Sequence, residues 1–204
     1  KISSNKNEII TKSYFDFNYF FKRKNKVTSL GNIYKNKIIL ITGAGGSIGS
    51  NIVFQLIKYN YKKIILLDNS EFNLYQLSNH ISDHHRMEFL LKDFSDQNEM
   101  KKIFSLYKID LIFHAAAYKH VPIIENNPFS AIKNNFLDTF EFMKLATYCN
   151  VEYFCFISSD KAVRPTNIMG ASKRLSELIL QAYSQKVKKE SINSEREKIL
   201  FSMV

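Results

Sequence analysis

Four consecutive polar residues in the second half of the chain have the functional groups of an acid–base site. They supply two hydroxyls, a carboxylate and an ammonium group: Ser158, Ser159, Asp160 and Lys161. Such a set offers a hydrogen-bond donor, an acid and a base, which proton transfer to and from a substrate requires. The same four residues are also typical of a polar loop with an Asp–Lys surface pair, and the local sequence leaves both interpretations open.

A glycine-rich turn earlier in the chain predicts a ligand for this site. The apolar run 38–41 is typical of a buried parallel strand, and apolar residues recur at helical spacing from Ile52. Between the two, four glycines fall within the seven residues from Gly43 to Gly49. A strand, a glycine turn and a helix present backbone N–H groups to a phosphate, and a Cβ there would hold a pyrophosphate away. The turn therefore predicts a dinucleotide site, although a tight turn without a ligand has the same local pattern.

The spacing of the glycines resembles one superfamily of dinucleotide-binding enzymes. The motif G-x-G-x-x-G would need glycine where the chain has Ile48. The chain has T-G-x-x-G-x-x-G instead, which resembles the extended short-chain dehydrogenase/reductase superfamily. The cofactor contacts predicted in this motif are Thr42, Gly43, Gly46, Ser47, Ile48 and Gly49.

Alternating strand and helix patterns predict the architecture. Apolar runs predict further strands at 63–67, 87–91, 109–114, 151–157 and 199–204, with long helices near 128–148 and 167–185 and a basic loop at 186–195. Alternation of this kind predicts an α/β, Rossmann-like doubly wound parallel sheet with strand order 3-2-1-4-5-6. Residues 1–36 are predicted to be an N-terminal arm or linker, and residues 37–204 an NAD-binding domain.

Residues at the ends of the predicted strands favour NAD as the cofactor. Asp68 ends the second strand, 19 residues after Gly49 (68 − 49), where an acidic residue binds the adenosine ribose. Because no Arg follows among residues 69–71, NAD is favoured over NADP. Asp93 is predicted to meet the adenine, although an Asp that opens a loop is common. The other predicted contacts are Asn69, Ser70, Phe94, Ala115, Ala116 and Ala117.

Composition and charge exclude several functional classes. The chain has 204 residues, of which 45% are hydrophobic and 24% charged, and no apolar run reaches bilayer length. Its net charge of +10 is scattered and accompanies no nucleic-acid motif, so nucleic acid is not an expected partner. Cys149 and Cys155 have no disulfide pattern, which predicts a cytoplasmic protein. We expect no metal site and place His80, His84 and His85 on the surface.

Three longer stretches make the resemblance more specific. Residues 68–75, 114–122 and 158–174 are similar to the CapD-like polysaccharide-biosynthesis dehydratases. They are most similar to the large, membrane-anchored UDP-N-acetylglucosamine 4,6-dehydratases, which carry Met where other members of the superfamily have the Tyr of Tyr-x-x-x-Lys. Met169 and Lys173 stand at these two positions, four residues apart on one helix face.

This resemblance implies a reaction and roles for the polar residues. It implies that a hydride moves from sugar C4 to NAD and then to C6, with loss of water between the two transfers. Lys161 is then the base at C5, Asp160 the acid for the departing C6 hydroxyl, and Ser159 a hydrogen-bond partner of O4. Lys173 binds the nicotinamide ribose, and Met169 cannot transfer a proton. The implied contacts of the UDP-sugar are Lys119, His120 and Asn135, although Lys119 and His120 also fit a solvated loop.

The resemblance also implies parts that the chain does not contain. Family members continue into a C-terminal lobe that holds the UDP-sugar, carry an N-terminal membrane anchor, and often pair through their two long helices. We therefore expect this chain to be a fragment with most of the substrate lobe missing, from a protein that forms homo-oligomers. Two alternatives stay open, a nucleotide-binding remnant without catalysis and a C4 epimerase, and Met169 disfavours the epimerase.

Overall fold

A parallel sheet of six strands forms the centre of the computed structural model, which describes residues 30–190 and 199–204. The strand order is β3-β2-β1-β4-β5-β6, and each neighbouring pair is parallel. The predicted doubly wound sheet and its order are thereby confirmed. The strands are β1 (Ile38–Thr42), β2 (Lys63–Asp68), β3 (Met87–Leu91), β4 (Leu111–His114), β5 (Tyr153–Phe156) and β6 (Leu200–Met203).

The strands are apolar on both faces because helices cover both sides of the sheet. Successive residues of a strand point to opposite faces. Ile39 and Ile41 accordingly belong to one buried cluster, which includes residues of the helices after β1 and β2. Leu40 belongs to the other cluster, with Phe142 and Leu180 from helices later in the chain. Burial on both faces explains the near-continuous apolar runs.

Helices connect the strands. They are α1 (Leu30–Tyr34), α2 (Ser47–Leu56), α3 (Glu71–Asn79), α4 (Gln97–Tyr107), α5 (Val121–Glu125), α6 (Pro128–Ile132), α7 (Thr139–Tyr148) and α8 (Ile168–Glu190). A π-helical segment, Lys133–Asp138, joins α6 to α7, and a 3₁₀ turn, Asp160–Ala162, follows β5. Within the described residues, no helix has both the length and the apolar character needed to cross a bilayer.

Several predicted element boundaries are wrong. The helix predicted at 128–148 is interrupted by the π-helical segment, and β4 and β5 each begin two residues later than predicted. Residues 186–190, predicted as loop, continue α8, because Val187 is buried and a Lys186–Glu190 ion pair spans one turn. Residues 191–195 of that loop and residues 1–29 of the predicted arm lie outside the described residues.

The order of the strands creates a crevice at one edge of the sheet. The chain leaves β1 toward β2 on one side, whereas β4 pairs with β1 on the other side. In open α/β sheets, ligands bind where such connections diverge, beyond the carboxyl ends of the strands. The glycine turn, the segment after β4 and the segment after β5 all begin at this edge.

Candidate functional site

A cavity of about 880 Å³ opens at the carboxyl ends of the strands and brings most of the predicted site residues together. The predicted residues that line it are Gly43, Gly46, Ser47, Ile48, Gly49, Asp68, Asn69, Asp93, Phe94, Ala115, Ala116, Ala117, Lys119, His120, Ser159, Lys161, Met169 and Lys173. Thr42, Ser70, Asp160 and Asn135 were also predicted, but they are not among the residues that line the cavity.

The glycine turn forms a narrow cradle at one end of this cavity. Gly43 has a φ of +65°, and a Cβ on it would lie 2.7 Å from the backbone nitrogen of Ala116. A Cβ on Gly49 would lie 2.0 Å from the carbonyl oxygen of Gly43. Gly46 precedes α2 and has no side chain to cap it, so the first N–H groups of the helix face the turn. This arrangement has the geometry of an anion site for a pyrophosphate.

Asp68 holds the glycine turn as well as lining the cavity. Its Oδ2 accepts a hydrogen bond of 3.0 Å from the Gly45 backbone N–H, and its Oδ1 accepts one of 3.0 Å from the Ser70 N–H. Ser70 caps α3 by accepting from the Asn73 N–H, which explains its absence from the cavity wall. Asp68 therefore has a structural role that is compatible with the predicted contact to a ribose.

Asp93 and Asn69 form a polar edge beside Asp68. The amide nitrogen of Asn69 donates to Oδ2 of Asp93 over 3.3 Å, and the backbone N–H of Ser95 donates to Oδ1. Partial burial by itself raises the pKa of the Asp93 carboxyl, but the hydrogen bonds from Ser95 and Asn69 outweigh it, and the pKa lies below its usual value. Asp93 is therefore ionised and presents acceptors to the cavity.

Lys119 lies closer to the glycine turn than its predicted role implies. Its Nζ donates to Oγ of Ser47 over 3.3 Å, which places the ammonium group beside the first residue of α2. A cation there complements an anion bound by the helix N-terminus. His120 precedes α5 and is exposed at the mouth of the cavity.

The predicted acid–base residues form a short turn at the side of the cavity opposite the glycine turn. Ser159 Oγ donates to Oδ1 of Asp160 over 3.0 Å and accepts from the Lys161 backbone N–H over 3.2 Å. Nζ of Lys161 lies 3.6 Å from Asp160, and the two side chains are 51% and 89% exposed. The hydrogen bond from Ser159, followed by the charge of Lys161, lowers the pKa of Asp160. In this geometry Asp160 is a carboxylate, whereas Ser159 and Lys161 line the cavity.

Met169 and Lys173 form the buried wall of the cavity between the glycine turn and the acid–base turn. Met169 is 3% exposed and packs with Ile124 and Ala131. Lys173 is 5% exposed, and its Nζ donates to the carbonyl oxygen of Ile157 over 2.8 Å. Burial lowers the pKa of Lys173 to about 8, although the negative charge of Glu177 acts in the opposite direction.

The first turn of α8 packs closely against the acid–base turn. A Cβ on Gly170 would lie 2.2 Å from the carbonyl oxygen of Lys161. The helix begins here because Asn167 Oδ1 accepts from the Gly170 N–H and Glu125 Oε1 accepts from the Ile168 N–H. The contact with Glu125 could not be predicted from the sequence, since its partners are 43 residues apart.

His114 is a fully buried structural residue. Its Nδ1 lies 2.7 Å from Oγ1 of Thr42, and its Nε2 lies 3.0 Å from Oγ1 of Thr139. Thr139 donates its own proton to the carbonyl oxygen of Asn134, so Nε2 donates to Thr139 and Thr42 donates to Nδ1. Burial, followed by the charge of Lys173, lowers the pKa of His114 to about 3. The ring is therefore neutral and ties β1 to β4 and α7.

Asn135 fixes the segment after β4 from behind the cavity. Asn135 is 1% exposed, and its Oδ1 accepts from the Tyr118 backbone N–H over 2.8 Å. Its Nδ2 donates to the Tyr118 carbonyl oxygen and to Oγ of Ser172, over 2.9 and 3.0 Å. The amide predicted to meet the sugar nucleotide instead links the cavity-lining segment to α8. Ser158, one of the four polar residues singled out in the sequence, also lines the cavity. The cavity-lining residues that the sequence did not single out are Gly45, Leu67, Asn73, Lys92, Tyr118, Asn134 and Ile157.

Histidine and cysteine side chains form no metal-binding arrangement in the part of the chain that the structure describes. Across 30–190 and 199–204, no three His, Cys, Asp or Glu residues are grouped so that they could hold a metal ion. His80, His84 and His85 are exposed, as predicted, and Cys149 and Cys155 are free thiols.

Comparisons with known proteins show the family to which the chain belongs. The family described as "Polysaccharide biosynthesis protein" matches residues 39–204. The capsular polysaccharide biosynthesis protein CapD of Staphylococcus aureus is 41% identical over 160 residues, which are 76% of this chain and 27% of that protein. A UDP-N-acetylglucosamine 4,6-dehydratase (inverting) of Campylobacter jejuni is 32% identical over 152 residues, 74% of this chain and 44% of the enzyme. A UDP-glucose 4-epimerase of Rickettsia bellii is 31% identical over 152 residues, 71% of this chain and 43% of the enzyme.

A solved structure shows the same fold. The X-ray structure of Pen from Bacillus thuringiensis superposes with a TM-score of 0.74 at 29% identity, over 83% of this chain and 50% of that one. The chain spans between about a quarter and a half of the length of the proteins that it matches.

Proposed function

Because the chain belongs to the polysaccharide biosynthesis protein family, we propose that it is the NAD-binding part of a nucleotide-sugar 4,6-dehydratase that acts on UDP-N-acetylglucosamine. Its curated relatives include nucleotide-sugar dehydratases and epimerases, so an enzyme of this broader class is expected. The dehydratase is favoured by one observation. Met169, which has no exchangeable proton, stands on α8 one turn before the buried Lys173 and lines the same cavity as Ser159 and Lys161.

The residues at the glycine turn fit NAD. The turn leaves no room for a Cβ at Gly43 or Gly49, so a pyrophosphate can approach the backbone and the N-terminus of α2. Asp68 lines the cavity where a ribose is expected, and its carboxylate would repel the 2′-phosphate of NADP. Lys173 then binds the nicotinamide ribose from the opposite wall. Bound NAD would supply the redox chemistry, which is the acceptance and return of a hydride.

The acid–base turn supplies the proton transfers of the dehydration. Oxidation at C4 releases the O4 proton to Asp160, Lys161 or water, and the ketone acidifies the proton on C5. Lys161 removes the C5 proton as the C6 hydroxyl departs as water, and a proton returns to C5 when C6 receives the hydride. Ser159 hydrogen-bonds O4, and Asp160 delivers the proton to the leaving hydroxyl. Asp160 is an exposed carboxylate in this structure, so its role as an acid requires that bound substrate raise its pKa by excluding water.

An epimerase on the same scaffold is the second candidate. The relative named UDP-glucose 4-epimerase supports it at 31% identity. Oxidation at C4 releases the O4 proton in both reactions, and Met169 cannot take it up in either. The epimerase is the weaker candidate because residues 158–174, which include Met169, are most similar to the dehydratases that carry Met at this position.

The products of the full-length protein distinguish the candidates. The protein that contains this chain is incubated with UDP-N-acetylglucosamine in D₂O and followed by proton NMR. A dehydratase gives a 4-keto-6-deoxy sugar with a C6 methyl signal and deuterium at C5, whereas an epimerase gives the C4 epimer without a methyl group. Bound NAD without either product would support a nucleotide-binding remnant. We expect Lys161→Met and Asp160→Asn each to lower the rate about 10²-fold or more, and full turnover in both variants would refute the assigned roles.

A further inference from the structure

A buried carboxylate behind the acid–base turn has no role in the proton transfers described above. Glu177, on α8, is 8% exposed. Its Oε1 accepts a hydrogen bond of 2.6 Å from Oγ of Ser158, and its Oε2 accepts one of 2.8 Å from Nη1 of Arg174. The Arg174 side chain is 45% exposed, whereas Ser158 is half-buried at the cavity wall. An ionised acid kept from water at a cavity wall needs such partners to be tolerated.

Glu177 is one of three positions on α8 that contact the strand exit carrying the acid–base turn. Gly170, Lys173 and Glu177 are spaced three and four residues apart and therefore share one helix face. Gly170 lies against the carbonyl group of Lys161, Lys173 donates to the carbonyl oxygen of Ile157, and Glu177 accepts from Ser158. One face of the helix thus fixes the segment 157–161.

We propose that Glu177 is a positioning residue for the dehydratase: it fixes Ser158 at the exit of β5, and its negative charge, one helical turn away, stabilises the ammonium group of Lys173. The inference rests on the proposed function for the meaning of the cavity, but the two contacts are independent of the substrate. Ser158 directly precedes Ser159, so a change in its position moves the hydroxyl, the acid and the base together.

Glu177 is the acidic group whose charge acts on Lys173, although its own ion pair is with Arg174, whose Nη1 lies 2.8 Å from Oε2. His114 from β4 is buried and neutral, and Phe156 from β5 presents its ring face 4.4 Å from Nζ. Asp160 and Lys161 of the acid–base turn pair with each other, and both side chains are exposed. The charge of Glu177 raises the pKa of Lys173 against the larger effect of burial. Loss of that charge is therefore expected to lower the pKa of Lys173 further.

Two substitutions in the full-length protein separate the two effects. Glu177→Gln keeps an oxygen that accepts from Ser158 but removes the charge. Ser158→Ala keeps the charge but removes the hydrogen bond. Glu190→Gln is the matched control, because it makes the same change at an exposed ion pair with Lys186 on the same helix.

The pKa of Lys173 is measured in the protein without substrate, from the pH dependence of its reaction with acetic anhydride, read by mass spectrometry. We expect Glu177→Gln to lower the midpoint by about one pH unit, and Ser158→Ala and Glu190→Gln to leave it unchanged. With substrate, we expect Ser158→Ala to lower kcat about ten-fold, with the Kd of NAD within about two-fold.

An unchanged midpoint in Glu177→Gln, or an unchanged kcat in Ser158→Ala, would overturn the corresponding half of the inference. If the wild-type protein converts no nucleotide sugar, the proposed function fails, whereas the lysine titration still decides whether Glu177 acts on Lys173.

Discussion

Gly170→Ala tests whether α8 sets the position of Lys161. An added Cβ would lie 2.2 Å from the Lys161 carbonyl oxygen, 3.1 Å from its carbonyl carbon and 3.2 Å from Cβ of Pro165. Since carbon and oxygen atoms in close contact are about 3.3 Å apart, the carbonyl group must retreat by roughly 1 Å. The obstacle is backbone, so no flexible side chain can absorb the movement.

This displacement is expected to lower both the stability and the activity of the protein. Overpacking of this kind costs about 1–3 kcal/mol, and alanine in place of glycine inside a helix returns about 0.5–1 kcal/mol. The free energy of unfolding should therefore fall by about 0–2.5 kcal/mol. The activity should fall more sharply, because a misplacement of about 1 Å at a reacting group costs about 10²-fold in rate, or roughly 2.7 kcal/mol.

The assay measures kcat and KM for UDP-N-acetylglucosamine in the full-length protein at saturating NAD, together with the Kd of NAD. We expect kcat to fall about 10²-fold and the Kd of NAD to change less than about three-fold, because the glycine cradle lies at the other end of the cavity. Gln181→Ala, an exposed change on the same helix, is the control and should leave both values unchanged. A kcat within about two-fold of wild type in Gly170→Ala would refute the argument that this helix positions Lys161.

Three further predictions concern the cofactor cradle and its support. Gly49→Ala places a Cβ 2.0 Å from the Gly43 carbonyl oxygen, so isothermal titration calorimetry should show NAD binding weakened about ten-fold or more; an unchanged Kd would show that the turn is not the pyrophosphate site. Lys119→Met removes the ammonium group beside Ser47 and should weaken NAD binding about five-fold, whereas Lys119→Arg retains most of the affinity; equal affinity in all three proteins would contradict this. The third prediction concerns His114, whose pKa is lowered to about 3. The stability that its neutral ring contributes is complete above about pH 6.5 and is lost as the pH falls toward 3. The free energy of unfolding should fall by up to about 1.4 kcal/mol per pH unit over this range. Urea unfolding between pH 4 and 7 should show this slope in wild type and a shallower one in His114→Gln, and identical slopes would exclude His114 as its source.

Features set by neighbouring residues could be predicted from the sequence. The strand, the glycine turn and the start of α2 follow from a local apolar run and from positions that exclude a Cβ. Asp68 could be placed at the carboxyl end of β2 because a strand end followed by a loop has a fixed direction. The strand order followed from the alternation of strands and helices and the handedness of their connections.

Features that depend on partners far apart in the sequence could not be predicted. Asn135 was expected to bind substrate, yet both ends of its amide are used by Tyr118 and Ser172, which are 17 and 37 residues away. Glu177 gave no signal in the sequence, because an acidic residue between apolar ones on a helix is typical of an exposed face. Its hydrogen bond with Ser158 forms only when β5 and α8 pack together.

The π-helical segment Lys133–Asp138 has a consequence for how this region tolerates changes in length. It joins α6, whose Ala131 packs with Met169 at the cavity wall, to α7, whose Phe142 lies in the main core. A π-helical turn accommodates one more residue than an α-helical one, so the two helices present their buried faces with a phase offset that a continuous α-helix would not have. If all six residues were wound as a regular α-helix, one helix would rotate by about 100° relative to the other, and either Ala131 or Phe142 would leave its apolar surroundings. The wider π-helical winding therefore absorbs one extra residue between the cavity wall and the core, and deletion of a single residue here would let the segment wind as an α-helix with the two buried faces still in phase.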